Sequence, residues 1–444
     1  MHGAQLSPLD VAFLCLESRT TPMHMGAVAV FGAHGQVDPE RLLALLTARA
    51  VRIPRLRVRV RHSRSPLGGA NWEDDPGFDP ARHMETHRLS TLYEEDPLAA
   101  HAARWLAPPL DLHRPLWRLQ VVTGLPDGSF ALLLKLHHAL TDGTGAVTVA
   151  LGLLDEVPAL GRTPAQTPGP VKRKSFVDSL LENPLSHASA TVGKAAESAG
   201  IAGSVLLAAR PYPVSPIATA NSTSRELGFA TLDTADVRRV RAAHGGTTND
   251  VVLAVLAGAL RTWLRNRGRR PENGPLRALV PVSVRAREAE GKGGNLLSGY
   301  LSDLPVELDD PVERLRAVRR SMDRNKAAGP VRGAGALPVL AGRVPAGMHK
   351  LAARFAGQAA PLLFDTVVTN VPLPGIPLTL DGAKLRRVYP FVPLAPHHSV
   401  GVAVSSYRKS IHIGLQANGD AVADLGSLTD AIGKSLAELL NTCP

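Results

Sequence analysis

Apolar and polar positions follow two rhythms in the first third of the chain. Residues 26–31 and 56–60 alternate with the period of a strand, while residues 39–52 carry apolar positions at helical spacing. Residues 116–124 and 129–136 are apolar runs joined by Leu125-Pro126-Asp127-Gly128, a turn sequence that predicts an antiparallel hairpin. A helix is expected over 146–154. From 163 to 224 the chain changes to Pro, Ala and Ser, with basic Lys172, Arg173 and Lys174 and no strand rhythm, and reads as a partly helical linker. Alternation resumes with a strand over 225–232, helices over 234–244 and 249–264, and strands over 276–284 and 301–308. The fold class is therefore α/β, divided as 1–162, a linker at 163–224, and 225–444.

Length supports that division, because 444 residues exceed the usual domain size of roughly 150 two- to threefold. A hydrophobic fraction of 44% and a charged fraction of 20% are ordinary for globular chains. Fifty Lys plus Arg against 39 Asp plus Glu give a formal charge of +11, which favours anionic partners: phosphorylated cosubstrates, lipid headgroups or nucleic acid. With 4% aromatic residues and no recognition motif, nucleic acid is not expected. The Arg265, Arg267, Arg269 and Arg270 cluster reads first as solvated surface, then as attraction to a membrane surface. Cys15 and Cys443 are too few for a disulfide framework or a zinc site, so a reducing, cytoplasmic setting is expected. The opening residues lack a signal-peptide pattern, and the longest clean apolar run, 251–260, is about half a membrane span.

Chemistry concentrates where the second hairpin run ends, at His137-His138-Ala139-Leu140-Thr141-Asp142-Gly143. Neighbouring strand residues face opposite ways, so one histidine is free for catalysis and the other packs. An imidazole with an ordinary pKa near ~6.5 is largely neutral at cellular pH and can take a proton from an alcohol. Asp142 and Gly143 turn the chain into the following helix. A hydrogen-bonded core pair is the bland alternative. A metal is not expected, since no third ligand stands at characteristic spacing. There is no Gly-x-Ser-x-Gly elbow, Cys15 looks apolar, and Gly293-Gly294-Asn295 lacks both the Walker and dinucleotide spacings, so it reads as a turn. Pro396-His397-His398-Ser399 is given no catalytic task.

The order of short motifs resembles the bacterial wax ester synthase/diacylglycerol acyltransferase family, within the superfamily of chloramphenicol acetyltransferase and condensation domains. They are Leu6-Ser7-Pro8-Leu9-Asp10 with Phe13, Glu17, Pro22-Met23-His24, Pro115-Leu116-Trp117 and the His-His motif. Asn249-Asp250, Pro281-Val282-Ser283-Val284-Arg285, Gly294-Asn295, Thr369-Asn370-Val371-Pro372 and Ser406-Tyr407 extend the series. Departures are Leu373 where the family often has Gly, and Arg118 where an acid is common.

The resemblance implies two chloramphenicol-acetyltransferase-like domains with an active-site tunnel between them, the first carrying the histidine motif. It implies His138 as general base, with His137, Asp142, Gly143, Arg285, Asn249 and Asp250 in support. Arg285 is the preferred partner of Asp142. Glu17, Trp117 and Asn370 become candidates for the tunnel wall, although core packing for Trp117 and Phe13, a solvated helix end for Glu17, and an N-cap for Asn249-Asp250 are open alternatives. The expected activity is transfer of a long acyl chain from acyl-CoA, a cosubstrate and not a tightly bound cofactor, to diacylglycerol or a long-chain alcohol. Alternatives are another hydroxyl on a polyketide or glycolipid, amide formation by a condensation-type domain, and a non-catalytic lipid-binding protein. Peripheral attachment to the inner membrane face or to lipid inclusions is expected.

Overall fold

The computed structural model describes residues 4–32, 35, 37–62, 70–90, 95–156, 215–283, 297–328 and 360–444. Two six-stranded sheets and one small sheet form its frame. Strands β1 (Ala4–Gln5), β3 (Val58–His62) and β4 (Ala70–Asp74) make the small sheet, in the order β1-β4-β3. The first large sheet is built from β2 (His24–Gly32), β5 (Met84–Arg88), β6 (Trp117–Thr123) and β7 (Phe130–His137), together with β12 (Thr379–Leu380) and β13 (Ala383–Phe391), in the order β12-β13-β2-β7-β6-β5. The second takes β8 (Arg225–Asp233), β9 (Leu276–Ser283), β10 (Leu297–Leu304), β11 (Thr366–Asn370), β14 (Val400–Tyr407) and β15 (Ser410–Asn418), in the order β10-β9-β11-β14-β15-β8.

The hairpin read from 116–136 is β6-β7, antiparallel with Leu119 opposite Leu134. Every residue of β7 is buried, because the strand lies mid-sheet with both faces covered. Phe130, Leu132, Leu134 and Leu136 face one core, with Leu42 and Leu46 of α2 (Pro39–Ala50) and Val149 of α4 (Gly143–Leu153). Ala131 and Leu133 face another, with Leu98 and Leu106 of α3 (Pro97–Leu106) and Leu227 of β8. A single strand thus binds its own layer on one side and the second half of the chain on the other.

In the second sheet, α5 (Thr234–His244), α6 (Thr248–Asn266), α7 (Pro311–Ala328) and α8 (Leu425–Leu440) contribute to a helical layer. The apolar run at 251–260 is wholly buried inside α6, and each large side chain so covered contributes about 1.5–3 kcal/mol. Among the described residues no helix is long and apolar enough to cross a membrane.

Two expectations move. The strand anticipated at 301–308 lies at Leu297–Leu304. More consequentially, β12 and β13 belong by sequence to the second half yet complete the first sheet, with Tyr389 opposite Val28. The seam is tight. A Cβ built on Gly414 of β15 would stand 1.9 Å from the Pro390 carbonyl oxygen of β13, so only glycine allows these strands to meet. The linker expected at 163–224 lies outside the described residues except for its last ten.

Candidate active site

The sequence Pro8-Leu9-Asp10-Val11-Ala12-Phe13-Leu14-Cys15-Leu16 forms helix α1, opened by a capping box in which Ser7 and Asp10 satisfy each other's backbone N–H. This fixes the pitch at which Phe13 meets the histidine loop. The Phe13 ring stacks on the His138 imidazole, with centroids 4.1 Å apart and planes at 24°. His138 follows the last residue of β7, and its N–H donates to the Met23 carbonyl at 2.7 Å. It is partly buried, whereas His137 is sealed completely.

The adjacent histidines occupy different environments, His137 at the end of β7 and His138 in the turn that follows it, not on opposite faces of one strand. His137 Nε2 lies 3.2 Å from Glu17 Oε2, and its Nδ1 accepts the Ala139 N–H at 3.0 Å. Both ring nitrogens are thus engaged. Burial pushes the pKa of His138 down to about 4, with His137 adding to the effect. Desolvation thus keeps the ring neutral across the cellular pH range.

Asp142 and Gly143 have a visible local function. Asp142 is the N-cap of α4, its Oδ1 accepting the Gly145 N–H at 2.8 Å, and its negative charge suits the positive end of the helix. Arg285, expected to hold Asp142, lies outside the described residues, as do Gly293, Gly294 and Asn295. From the second half, Asn370 ends β11 on the surface, and Val371 follows; a Cβ on Gly143 would lie 3.5 Å from Val371 Cγ2. Ser405 Oγ donates to the Val371 carbonyl at 2.8 Å, tying this segment to β14. The Asn370-Val371 corner therefore reaches the helix that starts behind His138.

Other expected site residues are placed elsewhere. Trp117, offered as a tunnel-wall candidate, is a core residue: fully buried, stacked on His83 at 4.7 Å, its indole N–H donating to the Leu56 carbonyl at 2.8 Å. Thr247, not Asn249, caps α6, and Asp250 closes the capping box by accepting the Thr247 N–H at 2.8 Å. Glu17 is not a solvated helix end. Its side chain is 6% exposed and turned toward His137.

Three buried polar groups around this site were given no role by the sequence, although His24 stood within one of its landmarks. His24 stands opposite His137 in the β2-β7 pairing, and burial holds its pKa well below the ordinary value. Lys135, also buried, donates to the Trp105 and Pro108 carbonyls at 3.0 Å, and desolvation lowers its pKa to about 8. A lone charge inside Leu132-Leu133-Leu134-Lys135-Leu136 was the available signal. Arg225 of β8 donates to the Thr20 carbonyl at 2.6 Å, fastening the loop before β2 to the second half.

Comparison with known proteins places this geometry in a family. Residues 6–252 match the wax ester synthase/diacylglycerol acyltransferase catalytic domain, and residues 293–440 the C-terminal domain of the same family. The chain is 34% identical to the probable diacylglycerol O-acyltransferase tgs1 of Mycobacterium tuberculosis over 98% of this chain and 95% of that one. It is 31% identical to tgs2 of the same species, covering 98% of each. Among solved structures, the wax ester synthase/diacylglycerol acyltransferase from Marinobacter aquaeolei VT8 superposes with a TM-score of 0.72 at 25% identity, covering 98% of each chain. A starter condensation domain of rhizomide synthetase, solved with C8-CoA, shares the fold at TM-score 0.58 and 17% identity, over 99% of this chain and 95% of that one. With its motifs matched in order and both family domains present, the chain belongs to the wax ester synthase/diacylglycerol acyltransferase family.

Proposed function

We propose that the chain transfers a long acyl group from acyl-CoA to the hydroxyl of a lipid, with diacylglycerol as the leading acceptor and a long-chain alcohol as the second. The observation carrying this reading is the partly buried His138 imidazole, stacked on Phe13 and kept neutral by desolvation, at the start of a loop whose Gly143 lies beside Val371 of the second half. Family membership and the names of the mycobacterial relatives support the acyl-transfer chemistry.

His138 takes the proton of the acceptor hydroxyl as its oxygen attacks the thioester carbonyl carbon. The resulting tetrahedral species expels the CoA thiolate, which recovers the proton from the imidazolium. One C–O bond forms and one C–S bond breaks, leaving an ester, free CoA thiol and a neutral histidine. A thiolate is an easy leaving group, its thiol pKa lying near ~8.5, so no separate acid is required. The acyl chain and acceptor enter by a tunnel between the halves. Arg285 is the proposed partner of Asp142, acting to shape the loop.

Palmitoyl-CoA offered with diacylglycerol, hexadecanol, monoacylglycerol and an amine tests the reading by product mass. Triacylglycerol or wax ester with equimolar thiol is expected. Amide as the main product, or lipid binding without thiol release, overturns it.

The reaction takes place at an anionic lipid surface reached through charge. Support comes from the +11 formal charge and from exposed Arg238, Arg239, Arg269 and Arg270 on the second half. Flotation with phosphatidylserine vesicles should show binding that weakens as salt rises. Binding undiminished by high salt, or absent at low salt, rejects this mode of attachment.

A further inference from the structure

We infer that Glu17 is a positioning residue for the reaction, closing a ring of hydrogen bonds that fixes the backbone on both sides of His138. The inference rests on the proposed role of His138. Glu17 Oε2 accepts two N–H groups, from Met23 and from His137 Nε2. The Met23 carbonyl in turn accepts the His138 N–H, at 2.7 Å. On the other side, His137 Nδ1 accepts the Ala139 N–H at 3.0 Å. The path runs from the carboxylate through Met23 to the His138 amide, along the backbone to the Ala139 amide, through the His137 ring and back.

The ring has one self-consistent protonation pattern. Because Nδ1 of His137 accepts a hydrogen bond, the neutral imidazole carries its proton on Nε2, and that proton points at Glu17. The carboxylate selects the tautomer, and the tautomer holds Ala139. Glu17 has a second tie to the site. It is the C-cap of α1, its own N–H donating to the Phe13 carbonyl, and Phe13 is the residue stacked on the His138 imidazole. One residue therefore sets both the frame beneath the imidazole and the aromatic plate against it.

A carboxylate with 6% side-chain exposure is costly to maintain for packing alone. Its charge is felt by buried Lys135, which is itself held by two carbonyl oxygens. Among the described residues Oε1 accepts no hydrogen bond, so both of the carboxylate's hydrogen bonds are spent on the ring through Oε2.

The test compares Glu17→Ala, Glu17→Gln, His137→Ala and the Glu17→Ala/His137→Ala double variant, with His138→Ala as reference. For each folded protein, kcat, KM for palmitoyl-CoA and melting temperature are measured with diacylglycerol as acceptor. Displacing a reacting group by a fraction of an ångström to about 1 Å lowers turnover about ten- to hundredfold, and that is expected for kcat of Glu17→Ala, with KM changed by less than about twofold. Glu17→Gln should recover most of the loss, since its amide oxygen can accept the same two N–H groups. The double variant should lose no more than the worse single variant, because either change opens the same ring. Multiplying losses in the double variant, or normal kcat in a less stable Glu17→Ala, overturns the inference. If Glu17→Ala does not fold, 15N shifts of the His137 ring in Glu17→Gln decide: a proton retained on Nε2 with near-normal kcat supports the ring, and a proton on Nδ1 with unchanged kcat defeats it. Full activity in His138→Ala would instead remove the general-base reading, an outcome distinguishable from any failure at Glu17.

Discussion

Two pairs of adjacent histidines flank strands of this molecule, His137-His138 at the end of β7 and His397-His398 just before β14. In each pair one ring is sealed and the other is not. His398 is buried between carbonyl oxygens, with Pro396 O at 2.8 Å from Nδ1 and Phe364 O at 2.9 Å from Nε2, and it packs against Phe364. Its partner His397 is exposed, on a backbone at φ 64° that turns the chain into the strand. At β7 the sealed ring is His137, clasped by Glu17 and Ala139, while the unsealed His138 lies against Phe13 in an apolar setting. A histidine pair therefore carries no chemistry by itself. What differs is where the unsealed ring lies: one in water, the other desolvated and stacked on Phe13.

Breaking the comparison at its strongest point means removing each unsealed ring. His138→Ala should keep its fold and acyl-CoA binding yet lose turnover by about 10²- to 10⁴-fold, the usual contribution of a general base. His397→Ala should remain within about twofold of the parent in the same assay. Comparable losses in both, or near-normal turnover by folded His138→Ala, would erase the distinction drawn here.

Acid sharpens the comparison next. Burial lowers the folded-state pKa of His138 and of buried His412 to about 4, and lowers those of His24, His83 and His398 as well. Unfolded histidine titrates near ~6.5, so between about pH 6.5 and 4 the unfolded chain binds more protons than the folded one. Stability held above pH 6.5 is therefore lost as pH falls through that window, by up to ~3 kcal/mol for a single site such as His412. Melting curves from pH 7 to 4 should show the decline, with a shallower slope for His412→Gln. Turnover per folded molecule should stay level to about pH 5, since the His138 ring is still neutral there. A melting temperature that rises on acidification would contradict these assignments.

The smallest effect concerns the helix that starts behind His138. Asp142→Ala removes the cap of α4 and should cost at least about 1 kcal/mol, and Asp142→Asn, whose amide oxygen still caps but which brings no charge to the proposed Arg285 contact, should cost nearly as much. Urea denaturation measures both. A loss of only a few tenths of a kcal/mol in Asp142→Asn would show that the cap alone is required and would reject the proposed Arg285 contact.

Local pattern made part of this structure readable. The apolar runs and turn residues around 116–136 define β6 and β7, but strand-face alternation does not relate His137 to His138, because β7 ends at His137 and His138 opens the turn. The assignment of Ala383–Phe391 to the first sheet was not readable. A strand's rhythm says that it has a buried face and nothing about which distant strand will pair with it. Glu17 and His137 meet across 120 positions, and neither spacing nor composition encodes that contact. For Trp117 the sequence left core and ligand wall both open, since an aromatic ring fits either, and the contact of its indole N–H with the Leu56 carbonyl is what places the ring in the core.

The borrowing of β12 and β13 by the first sheet also has a consequence in time. During synthesis, β2 emerges with its Ala27, Val28, Ala29, Val30 and Phe31 row, and the edge that β13 will cover stays bare until residue 391 has been made. At about 5–20 residues per second, the intervening chain of about 360 residues takes roughly 20–70 s to translate. Throughout that interval the nascent chain presents an unpaired apolar strand, the kind of edge on which chains aggregate. A ribosome-bound chain truncated near residue 250 should therefore recruit holdase chaperones, and the same fragment released alone should precipitate until a peptide spanning 379–391 is supplied in trans.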